Sequence, residues 1–181
     1  MTNELFLGVH NDDEILFGSF TLIHNKPLVA IVTDSWIQPN RGERGCSADE
    51  RWEETKKATA VLGCSCIRLG IRDDALTEEA LVAAFRKLAG FSIVYAPAVQ
   101  GGNWQHDLVG KVAKDVFGSI VKQYTTYTKT ELWTKGETEI IPSREDLNLK
   151  FKALICYQSQ FNLPSTRPHF EAVMGKSEWL I

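Results

Sequence analysis

The 181-residue chain has few cysteines and no long apolar run, and each absence excludes a class of protein. The cysteines are Cys46, Cys64, Cys66 and Cys156. They are too few and too scattered for the disulfide framework of a secreted scaffold. No stretch reaches the ~18 apolar residues of a membrane-spanning helix, so we expect no membrane insertion. The first residues lack the basic segment of a secretory signal, which favours a cytoplasmic location.

The chain also lacks an excess of charge of either sign. It carries 20 Lys and Arg against 23 Asp and Glu, a net charge of −3. This balance gives no reason to expect nucleic acid or an anionic membrane as a partner. No repeat and no Pro/Gly/Ser-rich linker divides the sequence, so residues 1–181 are predicted to form a single domain. The oligomeric state stays open, and a homo-oligomer is possible.

Short apolar runs alternate with helical patterns along the first two thirds of the chain. This order predicts an α/β fold with a Rossmann-like parallel sheet and helices on both faces. The predicted strands lie near 4–10, 27–34, 66–71 and 92–98, and the predicted helices near 13–24, 48–62, 77–89 and 104–122. We then expect a hairpin through 123–141 that turns at Lys135-Gly136, a helix near 143–158 and an irregular tail.

Polar side chains follow the predicted strands, where a parallel sheet places its ligand crevice. His10 and Asp13 follow the first strand and are spaced so that both can reach one metal ion, with Asp12 left beside it as a base. An ordinary helix cap would account for the acidic residues 12–14 equally well. His106, which follows the fourth strand, offers a third ligand and favours the metal site.

These motifs resemble those of the LmbE-like, or PIG-L, family of zinc-dependent de-N-acetylases. The family's first motif, His-Pro-Asp-Asp-Glu, is similar to residues 10–14, where Asn11 stands for the proline. Its second motif, His-x-Asp-His followed by Val-Gly, is similar to residues 103–106 with Val109-Gly110. Weaker matches extend the resemblance from about residue 4 to about residue 160. The resemblance thus covers most of the chain.

The resemblance implies that His10, Asp13 and His106 bind one zinc ion and that Asp12 is the general base. Three protein ligands with an open position are typical of catalytic zinc. The implied reaction is hydrolysis of the N-acetyl amide of an amino sugar or its conjugate, a small-molecule partner. Arg51 matches a family position associated with the substrate.

Two residues depart from the family's second motif. The histidine to which the family assigns transition-state stabilisation is Asn103, and the aspartate that supports it is Gln105. Asn103 can donate a hydrogen bond to an oxyanion but cannot deliver a proton to the leaving amine. His169, in the tail, is the candidate replacement for that acid, although a lone histidine there is also typical of an ordinary surface position.

Further candidate substrate contacts come from the predicted rim of the sheet. Asp73 follows the third strand, and Trp36 and Trp104 could stack on a sugar ring, although packing explains the tryptophans equally well. Two alternatives to sugar deacetylation stay open: an amidohydrolase acting on another acylated amine, and a weakly active protein that binds metal or sugar. A nucleotide-binding Rossmann domain is disfavoured because no G-x-G-x-x-G follows the first strand.

Overall fold

One mixed sheet forms the centre of the computed structural model, which describes residues 3–35 and 45–181. Its strands are β1 (Glu4–Gly8), β2 (Leu28–Thr33), β3 (Cys66–Ile71), β4 (Ile93–Pro97), β5 (Val121–Tyr124), β6 (Thr138–Ile140) and β7 (Glu178–Leu180). The α-helices are α1 (Asp13–Leu16), α2 (Ser19–Asn25), α3 (Ala48–Val61), α4 (Glu78–Phe85), α5 (Trp104–Phe117), α6 (Arg144–Leu154), α7 (Gln158–Phe161) and α8 (Arg167–Val173).

The order of the strands is β3-β2-β1-β4-β5-β7-β6. The first five strands pair in parallel, and β7 pairs antiparallel with both β5 and β6. This confirms the α/β fold with a sheet covered by helices, but the sheet is mixed rather than wholly parallel. No helix in the described ranges is both long enough and apolar enough to cross a bilayer.

Both faces of the sheet are buried, as the continuous apolar run of β1 requires. Leu5, Phe6 and Leu7 are all fully buried, and successive side chains of a strand point to opposite faces. Phe6 joins a core that includes side chains of α3, α6 and α8. Leu5 and Leu7 join a second core with side chains of α4 and α5. The two cores hold the sheet between two helical layers.

Several helices begin at a side chain that caps the first turn. The Ser47 hydroxyl accepts the Glu50 N–H at the start of α3, and the Thr77 hydroxyl accepts the Ala80 N–H at the start of α4. At α6 a reciprocal capping box joins Ser143 to a residue of the first turn.

The helix predicted near 13–24 is wrong in one respect, because it is interrupted at Phe17–Gly18 and forms α1 and α2. A Cβ atom at Gly18 would lie 2.2 Å from the Phe6 ring. Only glycine allows the chain to pass this close to the core aromatic, so the break is set by tertiary packing that helical periodicity does not report.

The hairpin predicted through 123–141 is also wrong. β5 pairs in parallel with β4, and β6 pairs with β7 instead of β5. β7 comes from the tail that was expected to be irregular, and it lies between the two strands of the predicted hairpin. The Glu137 N–H donates to the Leu180 carbonyl, so the turn at Lys135-Gly136 packs against the C-terminal strand. The tail also contains α7 and α8.

The two helices predicted near 104–122 and 143–158 end early, at Phe117 and Leu154.

Gly110 determines how closely α5 approaches the sheet. A Cβ atom at this position would lie 2.2 Å from the carbonyl oxygen of Pro97, the last residue of β4. Because glycine has no Cβ, the first turn of α5 can pack directly over the carboxyl ends of the strands. His106 lies in that turn.

Candidate active site

A cavity of about 310 Å³ opens at the carboxyl ends of the parallel strands. The chain that follows each of the five parallel strands contributes to its wall. These contributors are His10, Asp12 and Asp13 after β1, Ser35 after β2, Asp73 after β3, Gln105 after β4 and Tyr127 after β5. Side chains of the C-terminal segment, including His169 and Phe170 of α8, also line the cavity.

Three buried or partly buried side chains bring potential metal ligands together at the base of this cavity. His106 Nε2 lies 3.1 Å from Asp13 Oδ2 and 3.3 Å from His10 Nδ1. His10 Nδ1 lies 3.4 Å from the same Asp13 oxygen. In the described ranges these residues form a group whose ligand atoms could hold one metal ion.

The spacing of these atoms fits a tetrahedral zinc ion. Two ligand atoms that are each about 2.0–2.1 Å from a tetrahedral zinc lie roughly 3.3 Å apart. All three separations fall close to that value. Two imidazole nitrogens and one carboxylate oxygen are also the donor types that zinc prefers. The residues therefore fit the zinc site that the sequence predicted, with room in the cavity for a substrate.

The electrostatics of the cluster are those of ligands that need a cation. Burial alone would raise the pKa of Asp13, but the charges and hydrogen bonds of His106 and His10 outweigh it and hold the pKa below its usual range. Burial disfavours the charged form of His10, yet Asp13 raises the pKa of His10 to about 9. Because a histidine must lose a proton before that nitrogen can bind a metal ion, metal uptake at His10 would compete with protonation.

Asp12 points its carboxylate at the same cavity from a rare backbone conformation. Its φ of 129° lies in a region that non-glycine residues seldom occupy. Asp12 Oδ2 lies 3.2 Å from Nη2 of Arg51, a buried residue that also donates to the Asn11 carbonyl. Burial raises the pKa of Asp12, and the Arg51 guanidinium opposes that rise. A raised pKa near a metal site is suited to a general base at neutral pH.

Glu14 supports this turn from the side facing the core. Its carboxylate accepts the Asp12 backbone N–H at 3.1 Å and contacts the hydroxyl of Tyr157. Tyr157 in turn donates to Thr55 of α3 at 3.0 Å. Burial raises the pKa of Glu14 to about 8. Glu14 therefore belongs to a buried network that fixes the strained turn, and it does not line the cavity.

Asn103 is the N-cap of α5 and does not line the cavity. Its Oδ1 accepts the Gln105 N–H at 2.8 Å, and its Nδ2 donates to the Tyr127 hydroxyl at 3.2 Å. Tyr127 lines the cavity next to the potential metal ligands, with its ring centroid 5.3 Å from that of His106. The side chain that faces the cavity at this point is therefore a tyrosine, held by the asparagine that stands for the family's histidine.

His169 lies in the cavity wall, although the sequence places it in the tail. Its ring meets the Tyr127 ring edge-on, with 5.0 Å between the centroids. Half-burial lowers the pKa of His169 below its usual value. The structure thus places His169 in the wall of the cavity that His10 and Asp13 also line.

The structure places two of the predicted substrate-binding residues in the cavity wall and one outside it. Arg51 and Asp73 both line the cavity, and each has a buried atom, Arg51 Nε and Asp73 Oδ1, without a hydrogen-bond partner in the described ranges. Trp104 is the first residue of α5, is 61% exposed and is not part of the cavity wall. Trp36 lies outside the described residues. Substrate contact by either tryptophan stays a prediction.

Sequence analysis missed Tyr127 and the C-terminal contributions of Gln160, Thr166 and Phe170. A signal for Tyr127 was present: a fifth parallel strand after α5 would place the residues that follow it at the same edge of the sheet. The hairpin assigned to 123–141 concealed that strand. The other three residues follow from the packing of the C-terminal segment over the cavity, which no local pattern reports.

Comparison with solved structures identifies the architecture around this site. The A40926 pseudoaglycone deacetylase Dbv21 is 17% identical, with a TM-score of 0.73 over 98% of this chain and 95% of that one. A triple mutant of Orf2, a deacetylase of the teicoplanin biosynthetic pathway, is 16% identical. Its TM-score is 0.72 over 99% of this chain and 97% of that one. The chain has the fold of these deacetylases. No protein-family model and no curated protein matches the sequence.

The shared fold confirms the architecture that the resemblance to the LmbE-like family implies. A zinc-inhibited form of teicoplanin deacetylase Orf2 also matches, at 14% identity and a TM-score of 0.70 over 98% of this chain and 97% of that one. The same fold occurs in GalB, a 4-carboxy-2-hydroxymuconate hydratase from Pseudomonas putida KT2440. GalB is 14% identical, with a TM-score of 0.67 over 99% of this chain and 95% of that one. Because the fold occurs with both activities, the reaction must be argued from the side chains of the cavity.

Proposed function

We propose that this chain is a zinc-dependent de-N-acetylase that hydrolyses the N-acetyl amide of an amino sugar or its conjugate. The observation that carries the proposal is the convergence of His10, Asp13 and His106 on one metal-sized space with Asp12 beside them. The fold shared with the teicoplanin-pathway deacetylase Orf2 and the A40926 pseudoaglycone deacetylase Dbv21 supports it. A bound zinc ion would supply Lewis acidity, which acidifies water and polarises a carbonyl oxygen.

Asp12 is the general base of the proposed reaction. It would accept a proton from the water that attacks the amide carbon, and its raised pKa suits that transfer near neutral pH. Arg51 holds the carboxylate through the contact to Oδ2. The strained backbone of Asp12 is consistent with a functional position, since such conformations concentrate at active sites.

Tyr127 and His169 serve the opposite face of the reacting amide. The Asn103 amide donates to the Tyr127 oxygen, so the phenol proton stays available for a developing oxyanion. Burial raises the pKa of Tyr127 to about 12, which keeps that proton in place at neutral pH. His169 is the titratable group that would protonate the leaving amine, the role that Asn103 cannot fill.

The polar wall of the cavity suits a hydroxylated substrate. Arg51 and Asp73 line the cavity with a guanidinium that donates hydrogen bonds and a carboxylate that accepts them, and sugar hydroxyls can pair with groups of both kinds. The volume of about 310 Å³ is at the lower end for small-molecule sites, which favours a single acylated sugar unit in the cavity.

The test is acetate release from N-acetylglucosamine and its glycosides by protein that carries one equivalent of zinc. One equivalent is used because a neighbour of the same fold has a zinc-inhibited form. We expect equal amounts of acetate and free amine, and release that is at least ~10²-fold slower by Asp12→Asn. Release of longer acyl groups instead would favour an amidohydrolase of different specificity. Sugar binding without turnover would favour the binding-protein alternative.

A further inference from the structure

Each histidine of the proposed metal site has a second ring nitrogen that does not face the other ligands. In the described ranges, Gln105 is the one cavity residue that contacts such a nitrogen. Its Oε1 lies 2.6 Å from His10 Nε2, and its Nε2 donates to the Asp73 carbonyl at 3.1 Å. Only 8% of its surface is exposed. The side chain therefore joins the turn after β1 to the turn after β3 in the interior of the site.

The contact with Asp73 fixes which way the Gln105 amide faces. A backbone carbonyl only accepts hydrogen bonds, so the amide NH₂ must face Asp73 and the amide oxygen must face His10. An amide oxygen facing His10 Nε2 at 2.6 Å requires a proton on that nitrogen. In neutral His10 the lone pair then lies on Nδ1, the atom that faces Asp13 and His106.

The second histidine of the cluster has no such partner. His106 Nδ1 is buried and has no hydrogen-bond partner in the described part of the chain. Histidines that bind metals usually donate their other ring N–H to a fixed acceptor, which sets the tautomer and the ring orientation. In this site that interaction is made at His10 and is supplied by an amide.

We propose that Gln105 is a positioning residue for the metal site, selecting the His10 tautomer that presents Nδ1 to the metal and fixing the plane of that ring. The proposal rests on the metal site of the proposed function. It also explains why glutamine is accepted where the family has aspartate: the residue acts on His10 and has no role in supporting a histidine at position 103.

A neutral partner has a chemical consequence for the metal. An amide oxygen polarises an imidazole N–H less than a carboxylate does, so His10 donates less charge to the ion than it would beside an aspartate. The metal keeps more of its Lewis acidity and is bound less tightly. Replacing Gln105 by glutamate should therefore strengthen zinc binding or leave it unchanged.

Zinc affinity, measured by competition with a chromophoric chelator, separates the hydrogen bond from packing. Gln105→Met keeps the side-chain length and removes the acceptor, and we expect a ~10–100-fold weaker zinc affinity. Gln105→Glu keeps an oxygen for His10 and loses the donor to Asp73, and its affinity should equal or exceed that of the parent. The matched control is Gln123→Met, which removes a buried glutamine that donates to the Pro97 carbonyl.

Nitrogen-15 NMR of the zinc-loaded parent tests the proposal without any change at Gln105. With the histidine signals assigned by single substitutions, His10 should coordinate through Nδ1 and retain a proton on Nε2. Coordination through Nε2 would overturn the proposal, as would parental affinity in Gln105→Met or equal losses in the Met and Glu variants. An equal loss in the Gln123→Met control would also overturn it. A parent chain that takes up no zinc would overturn both this proposal and the metal site.

Discussion

At the scale of single residues, Asp12 has two functions that a substitution can separate. Its backbone, at φ 129°, forms the turn that places His10 and Asp13, whereas its carboxylate faces the cavity. Changing only the carboxylate should therefore leave the ligand geometry intact.

We predict that Asp12→Asn keeps the zinc content of the parent but lowers kcat by ~10²-fold or more, since a positioned base contributes about 10²–10⁴. The amide is nearly isosteric and cannot accept the proton. Elemental analysis and steady-state kinetics on the same preparation provide the measurement. Unchanged turnover with full zinc occupancy would remove Asp12 from the mechanism.

His169 can be tested in the same way, with a pH profile as the discriminating readout. If His169 is the general acid, His169→Ala should reduce kcat by ~10²-fold. The acid form is lost as pH rises through the pKa of His169, which burial lowers below 6.5. The parent should therefore lose activity with rising pH along a limb that is absent in the variant. Identical profiles would show that another group delivers the proton.

At the scale of elements, the sequence predicted β1 to β4 and α3 to α5 because each combines a clear apolar period with a capping or turn signal. β5 was missed because its four residues include Lys122 and Gln123 and so lack a convincing apolar run. β7 pairs with residues about 40 positions away, so local patterns do not reveal it. The break between α1 and α2 lies at Gly18, which packs against Phe6, and helical periodicity does not report such a contact.

The network behind α1 gives a prediction about stability. The folded pKa of Glu14 is about 8, against 4.5 for the free side chain, because the group is buried. Between these values the folded chain binds more protons than the unfolded chain, so the contribution of this group to stability falls as pH rises from about 4.5 to about 8. Glu14→Gln removes the titration.

The Tm of metal-free parent should consequently decrease relative to that of Glu14→Gln as the pH is raised across this window. Exposed Glu131 provides the control, because Glu131→Gln removes a solvated carboxylate. A difference in Tm between parent and Glu14→Gln that does not change with pH would show that Glu14 is ionised in the folded chain at every pH examined.

At the scale of the whole molecule, the site could be predicted where it depends on the sheet and not where it depends on the C-terminal segment. Parallel strands bring their carboxyl ends to one edge, so His10, Asp73 and His106 were expected to meet. The proximity of Tyr127 to the cluster follows from β5, and the cover formed by α8 follows from packing across the chain. The partners of Asn103 and Gln105 could be recognised only once the turn geometry was known.

The central claim is that three residues from two strand ends hold one catalytic metal ion, and zinc stoichiometry tests it most directly. Parent, His106→Ala and His24→Ala are purified without chelator, supplied with zinc, desalted and analysed for metal. His24 is the matched control, since it lies outside the cavity with 46% of its side chain exposed. The account predicts about one zinc per chain in the parent and in His24→Ala, and a substoichiometric amount in His106→Ala. Full retention of zinc by His106→Ala would contradict it.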